Sequence, residues 1–246
     1  ENESSELKAM CHIAVNEHPS FHQNQTETYY NFHNTSLDNS EHTVQPTKHV
    51  FYLKIHKCAS TTMQSIFTRY SLRHNLSMVY FKRAHTYPDP DILSYVKPEK
   101  KNQQYHILAS HTTFEEGQIR QLLPGNTKFV TIIRQPLSLL KSVFKFYRMC
   151  ERFHIQPCDT ALEVFLHDPA KYDNLAHITE CCKTDKDNIR KHSYTKNLMA
   201  SHFGLRNVSS SVMDGHHIRD WIQYIDDRFD FIGLSDRLPE SLIYLR

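Results

Sequence analysis

The pattern of apolar and polar positions divides the chain near residue 47. Residues 1–47 are rich in Asn, His, Ser and Glu and hold no sustained apolar period, so they are expected to form a stem or loosely ordered lead-in. From His49 the pattern changes. His49-Val50-Phe51-Tyr52-Leu53-Lys54-Ile55 is a compact apolar run of the buried-strand kind. After a short loop, Met63, Ile66, Phe67 and Tyr70 fall at i, i+3, i+4 and i+7, one face of an amphipathic helix. Tyr105–Ala109 and Lys128–Ile133 predict two further strands, and Leu140, Val143, Phe144 and Tyr147 place a helix after the second of them. Pro136 stands in the first turn of that helix, where its missing N–H costs nothing. Toward the end, Ile218, Trp221, Ile222 and Ile225 predict a helix, Phe229–Leu234 a strand, and Leu238, Leu242 and Leu245 a final helix.

Short apolar strands alternating with helices imply an α/β domain over residues 48–246, built on a parallel sheet with helices on both faces. In such folds ligands bind beyond the carboxyl ends of the strands. No stretch approaches the ~18 consecutive apolar residues of a membrane span. The chain opens with Glu1 rather than Met, and any signal or anchor is expected to lie outside it.

Charge changes this picture by its distribution, because the net value is only +2. Residues 1–47 carry seven acids against the single base Lys8, whereas Lys48–Arg83 holds seven bases and no acid. Gly117–Cys150 holds six bases and again no acid. Each basic segment spans a predicted strand, its C-terminal loop and the next helix. Their cations are therefore able to converge on an anionic ligand, although solvated lysines alone would produce the same count.

Cysteine usage leaves the compartment open. Cys150 and Cys158 flank a short polar loop that a disulfide could close, whereas the adjacent Cys181 and Cys182 would need other partners. The glycosylation pattern is more telling. Asn2, Asn24, Asn34, Asn75 and Asn207 each head an Asn-x-Ser/Thr sequon, and five in so short a chain favour the secretory pathway.

The candidate chemistry sits in two turns. Lys54-Ile55-His56-Lys57-Cys58-Ala59-Ser60-Thr61-Thr62 joins a strand to a helix, so free backbone N–H groups face outward beside a lysine and three hydroxyls. The lysine precedes the small residues and no Gly-x-x-x-x-Gly-Lys-Ser/Thr pattern occurs, which argues against a Mg²⁺-nucleoside triphosphate enzyme. On this loop alone, a capped helix start with a solvated lysine is the plainer account. The second turn is Ile133-Arg134-Gln135-Pro136 with Ser142 eight residues after the arginine. An arginine leaving a strand tip grips a phosphate bidentately, and a serine on the next helix adds a hydroxyl.

Taken together, the two turns resemble the 5′-phosphosulfate and 3′-phosphate sites of sulfotransferases that use 3′-phosphoadenosine 5′-phosphosulfate (PAPS). Within that superfamily the chain is most similar to the galactose 3-O-sulfotransferase family. The likeness covers residues 49–246 and includes Phe51–Lys57, His74-Asn75-Leu76-Ser77, Lys196-Asn197-Leu198-Met199 with Gly204, and Arg228-Phe229 leading to Pro239-Glu240-Ser241-Leu242.

The resemblance implies a P-loop-like sulfotransferase fold, PAPS as co-substrate, no metal, and a Golgi-lumenal type II protein. It implies transfer of a sulfonate to a hydroxyl, expected to be the 3-OH of a terminal β-galactose on a glycolipid or glycoprotein. Lys57 would contact the oxygen bridging phosphate and sulfonate. Lys54, Cys58 and Ala59 of the same loop are expected to bind the cofactor as well, and Ser60, Thr61 and Thr62 with the loop amides would hold the 5′-phosphate. Arg134 and Ser142 would bind the 3′-phosphate. For the general base the resemblance offers His111, just past the Leu108-Ala109-Ser110 strand, with His85 as the second candidate. His56, beside Lys57, is expected to be structural.

Two departures from the family pattern stand out. His202 occupies the place of an acidic residue two before Gly204, and the chain ends at Arg246 inside a predicted helix where family members continue. A non-catalytic glycan-binding relative and a uronyl 2-O-sulfotransferase-like enzyme are therefore the alternatives. A metal site is disfavoured because neither His-Glu-x-x-His nor paired Cys-x-x-Cys occurs. A kinase would need a glycine-bearing phosphate loop, and only five glycines exist in the chain. No nucleic-acid partner is expected, since the bases sit at strand–loop–helix junctions and not in an aromatic-interleaved exposed face. Membrane contact is expected only through an anchor outside this chain.

Overall fold

The run Val50–Leu53 forms strand β1, and all four of its residues are buried. A strand buried on both faces is the signature of a central position in a parallel sheet. The structure is a computed structural model that describes residues 46–81, 92–96, 104–172, 193–205 and 215–245. The lead-in therefore lies almost wholly outside the described residues. So do His85, Cys11, Cys181, Cys182 and the sequons at Asn2, Asn24, Asn34 and Asn207. Among the described residues no helix is long and apolar enough to cross a membrane.

β1 leads into helix α1 (Ser60–Arg73), whose Met63, Phe67 and Ser71 are buried at four-residue intervals. A 3₁₀ turn at Ile92–Tyr95 precedes β2 (Ile107–Ser110), and α2 (Glu116–Leu122) connects β2 to β3 (Lys128–Ile133). Then come α3 (Pro136–Phe146), α4 (Met149–Arg152), α5 (Ala161–His167), a 3₁₀ turn at Pro169–Tyr172 and α6 (Leu198–His202). The described chain closes with α7 (Gly215–Arg228), β4 (Phe231–Leu234), a 3₁₀ turn at Ser235–Arg237 and α8 (Leu238–Tyr244). Every strand and helix expected from the apolar pattern is present; β3 has the expected bounds, and β1, β2 and β4 are shorter. Pairing, not hydrophobicity, sets their ends, so His49 and Tyr105 flank the ladder instead of joining it. Of the α7 stripe, Ile225 is buried but Ile222 is 61% exposed.

The strands run parallel in the order β2-β1-β3-β4. The chain thus moves from β1 outward to β2, then returns past β1 to β3 and β4. In an open α/β sheet the crevice at such a reversal, beyond the carboxyl ends, is the ligand position. Here it falls between the tips of β1 and β3.

Aromatic packing holds the two central strands together. Phe51 pairs with Phe129 across the ladder, edge to face at 5.4 Å, and Phe114 meets Phe129 at 5.7 Å and Phe229 at 5.1 Å. At the far edge Asp230 sets the register of β4: its carboxylate accepts from Phe129 N at 2.8 Å and Lys128 Nζ at 2.6 Å. A disulfide joins Cys150 at α4 to Cys158 and closes the polar loop between them.

Gly204 ends α6 with φ +89°, and a Cβ there would lie 2.9 Å from the carbonyl oxygen of Phe114. Both the left-handed backbone and a backbone clash oppose any larger residue. Gly204→Ala is expected to cost about 1–3 kcal/mol, lowering Tm by roughly 2–4 °C per kcal/mol in a thermal melt. An unchanged Tm would show that the turn relaxes freely.

Candidate active site

The loop after β1 turns sharply into α1. Lys57 and Ala59 both take positive φ, 61° and 52°, an unusual conformation for residues with side chains. Ala59 is the N-cap of α1, and no side chain caps the first turn. The leading amides of this 14-residue helix thus keep their donors for an anion. Around them Ala59 and Ser60 are partly buried, while Thr61 and Thr62 are exposed. Cys58 is fully buried, and burial pushes its thiol up to about 12. Its side chain is core, so only its backbone faces the turn.

The second basic turn reaches the first. Arg134 leaves β3 and donates from Nη1 to the Lys57 carbonyl at 3.0 Å. Its Nε is buried without a hydrogen-bond partner and lies 3.8 Å from Asp236 Oδ1. The other oxygen of Asp236 accepts from Gln135 N at 2.8 Å, and Gln135 Oε1 caps α3 by accepting from Ser138 N. Pro136 occupies the first turn of α3, as its place in the sequence predicts. Ser142 lies half-buried on the same helix.

The Lys57 ammonium rests 3.5 Å above the centroid of the Phe146 ring, at the end of α3. Partial burial and the neighbouring Arg134 lower its pKa. Lys54 points the other way, donating to Gln64 Oε1 at 2.7 Å, while Gln64 Nε2 donates to the Ala109 carbonyl at 3.1 Å. Burial lowers the Lys54 pKa as well.

Three histidines meet beneath these turns. His202 is fully buried, and its Nδ1 lies 3.1 Å from the Thr112 carbonyl. A carbonyl only accepts, so Nδ1 carries the proton and Nε2 is the acceptor. That nitrogen takes the His56 backbone N–H at 3.4 Å and His56 Nδ1–H at 2.8 Å. The Phe114 N–H donates to the His202 carbonyl at 2.7 Å. His202 therefore clips α6 to the loops after β1 and β2.

His111 stacks on His56, with centroids 3.8 Å apart and planes within 9°. By the same logic its Nδ1 donates to the Lys54 carbonyl at 2.6 Å, leaving Nε2 as the proton acceptor. Burial first, then the positive Lys54 and the nearby His202, holds the His111 pKa well below the ordinary histidine value.

The ring nitrogens of His56, His111 and His202 lie within 4.8 Å of one another. A metal must sit near the plane of each imidazole that binds it, about 2.0–2.1 Å from nitrogen for zinc. Stacked, nearly parallel rings do not direct their lone pairs to one such point, and His202 Nε2 is already engaged by His56. As arranged, the trio is a hydrogen-bonded clip.

Comparisons with known proteins carry the assignment further. The galactose-3-O-sulfotransferase family model matches residues 8–246. The chain belongs to the galactose-3-O-sulfotransferase family. It is 29% identical over 203 residues to human galactose-3-O-sulfotransferase 3, covering 80% of this chain and 43% of that protein. Galactose-3-O-sulfotransferase 2 of Mus musculus is 29% identical over 209 residues, covering 82% and 49% of the two chains. Human galactosylceramide sulfotransferase is 26% identical over 206 residues, covering 82% and 45%. The chain spans less than half the length of these family members. No solved structure matches it.

Within this family member the structure brings together Lys57, Ala59, Ser60 and Arg134 at one rim, with His111 below them. It turns the Cys58 thiol into the core, and His85 lies outside the described residues. The sequence reading passed over Asp236, Gln64 and Phe146. Asp236 carried one usable signal, its position just beyond the carboxyl end of a predicted strand. His202 stood out only as a departure from the family pattern, with nothing local to show its partners.

In the ligand-free protein the His111 ring is expected to remain neutral at pH 6.5, where an ordinary histidine is half protonated. The sign follows from burial: a lowered pKa means that more acid is needed to charge the ring. Nitrogen-15 NMR of the imidazoles checks this, and a His111 midpoint at or above 6.5 would contradict it.

Proposed function

We propose that this chain is the donor-binding core of a sulfotransferase that moves a sulfonate from PAPS to a hydroxyl of a β-galactoside, at the 3-position. One observation carries the reading: the Lys57 and Arg134 turns, 77 residues apart in sequence, touch at the crevice between β1 and β3. Family membership supplies the reaction class, and the names of the relatives supply galactose and galactosylceramide as acceptor chemistry. Residues 48–246 are read as the catalytic domain and 1–47 as a lead-in.

The residues present suit the donor. The uncapped first turn of α1, with Ser60, Thr61 and Thr62, matches a 5′-phosphate. Arg134 offers an unused, buried Nε and stands at the start of the helix bearing Ser142, which matches a 3′-phosphate. PAPS supplies an activated sulfonate when bound. Lys57, whose lowered pKa makes its ammonium a better proton sharer, donates to the bridging oxygen as negative charge builds there.

His111 serves as base. Its Nδ1–H is held by the Lys54 carbonyl, so Nε2 accepts the proton of the acceptor hydroxyl. The hydroxyl oxygen bonds to sulfur as the bond from sulfur to the phosphate oxygen breaks. 3′-Phosphoadenosine 5′-phosphate departs with the electron pair. His85 stands as the second candidate for the base.

The disulfide Cys150–Cys158 and the exposed Asn75 of the Asn75-Leu76-Ser77 sequon favour an oxidising, glycosylating compartment. They support placement in the Golgi lumen, with an anchor outside this chain.

Calorimetry with 3′-phosphoadenosine 5′-phosphate on the intact protein tests the donor site. The wild type is expected to bind it, and Lys57→Ala or Arg134→Ala to lose on the order of 1.5–3 kcal/mol. A protein indifferent to this nucleotide would be a glycan-binding relative and not a transferase. Labelled sulfate from PAPS is expected on β-galactosides in a panel that includes uronates. Product on uronates alone would favour a 2-O-sulfotransferase. His111→Ala is expected to spare nucleotide binding and lower turnover by about 10²–10⁴-fold. Turnover that survives this change would shift the role to His85.

A further inference from the structure

Phe146 ends α3 with 60% of its surface exposed, although it is a large apolar ring at the site rim. The group resting on it is the Lys57 ammonium, 3.5 Å from the ring centroid. Phe146 also begins a continuous aromatic track. It meets Tyr147 edge to face at 4.9 Å, Tyr147 lies 4.0 Å from Tyr194, and Tyr194 is 5.5 Å from His56. His56 in turn stacks on His111 at 3.8 Å. The track runs from the lysine of the donor loop to the proposed proton acceptor.

We propose that Phe146 is the acceptor platform, a stacking surface for the sugar ring that receives the sulfonate. This rests on the functional reading above and adds a binding role for a side chain that it leaves unused. A β-galactopyranose presents one face of C–H groups, at C3, C4 and C5, and such a face packs on an aromatic ring as another apolar surface does. Stacked there, the ring carries its 3-hydroxyl at the edge of the contact.

Lys57 couples donor and acceptor. Its ammonium rests on Phe146, and it has one charge to give. Turning to the bridging oxygen of the donor uncovers the ring, so the sugar surface is complete once the donor is in place. Adenine also stacks on aromatic rings. Lys57, however, serves the sulfonate end of the donor, whereas the 3′-phosphate of the adenosine end is assigned to Arg134 and Ser142. Ser142 stands one turn before Phe146 on the same helix, so the contact with Lys57 is what assigns the ring to the sugar.

The test uses the intact protein with PAPS and a β-galactoside. Phe146→Ala is expected to raise the acceptor KM by about three- to tenfold, the range for loss of one aromatic contact. Affinity for 3′-phosphoadenosine 5′-phosphate should stay within about twofold of wild type, and Phe146→Tyr should restore the acceptor KM. Phe146→Leu keeps apolar bulk without a flat ring, so it should behave like the alanine variant and serves as readout if alanine impairs folding. An unchanged acceptor KM in the alanine and leucine variants overturns the platform alone. Nucleotide affinity falling in step with acceptor affinity also overturns it, by assigning the ring to adenine. A wild type that fails to bind the nucleotide sinks the functional reading, and the platform with it.

Discussion

The hydrogen bond from Arg134 to the Lys57 carbonyl brings two positively charged turns within contact, and the rest of the site is arranged around that approach. It is possible because β1 and β3 are direct parallel neighbours whose carboxyl ends lie nearly level, with Leu53 opposite Thr131. The buried Thr131 hydroxyl reinforces that alignment by donating to the Leu53 carbonyl at 2.9 Å. Cations placed this close repel one another, and the cost grows as water is excluded. Asp236, from the turn after β4, supplies the compensating carboxylate near Arg134, and the Phe146 ring face cushions the Lys57 ammonium. The two turns are thus held together by partners from outside both of them.

Below this rim the histidine clip does a different job. His202 gathers the loops after β1 and β2 and the end of α6 into one buried hydrogen-bonded unit. A carboxylate in its place would accept from His56 but would have no N–H for the Thr112 carbonyl. It would also place, as the imidazole does not, a buried negative charge next to His111. That ring is left among neutral and positive neighbours, consistent with its depressed pKa. A ring kept neutral in this way presents Nε2 as a proton acceptor, with its orientation set by the Lys54 carbonyl.

Much of this was legible along the chain. Strands β1 to β4 and helices α1, α3, α7 and α8 follow from apolar spacing, since each buries one face or both and burial imposes the period. Pro136 at the start of α3 and the basic turns at Lys57 and Arg134 were equally local. The side-chain direction of Cys58 was not legible in this way: between the left-handed residues Lys57 and Ala59 its thiol is buried in the core, and its backbone stays in the loop.

Amphipathic period, turn chemistry and charge runs are properties of a few consecutive residues, so the linear chain was sufficient to place the elements and to mark the Lys57 and Arg134 turns as candidates for anion binding. Which distant groups complete that pair is a matter of topology. Asp236 arrives 102 residues after Arg134, His202 146 residues after His56, and the Phe146 ring meets Lys57 across the crevice. Apart from the place of Asp236 just beyond a predicted strand, nothing in the neighbourhood of these residues along the chain foretells their partners. The strand order β2-β1-β3-β4 chooses them, by deciding which carboxyl ends stand side by side.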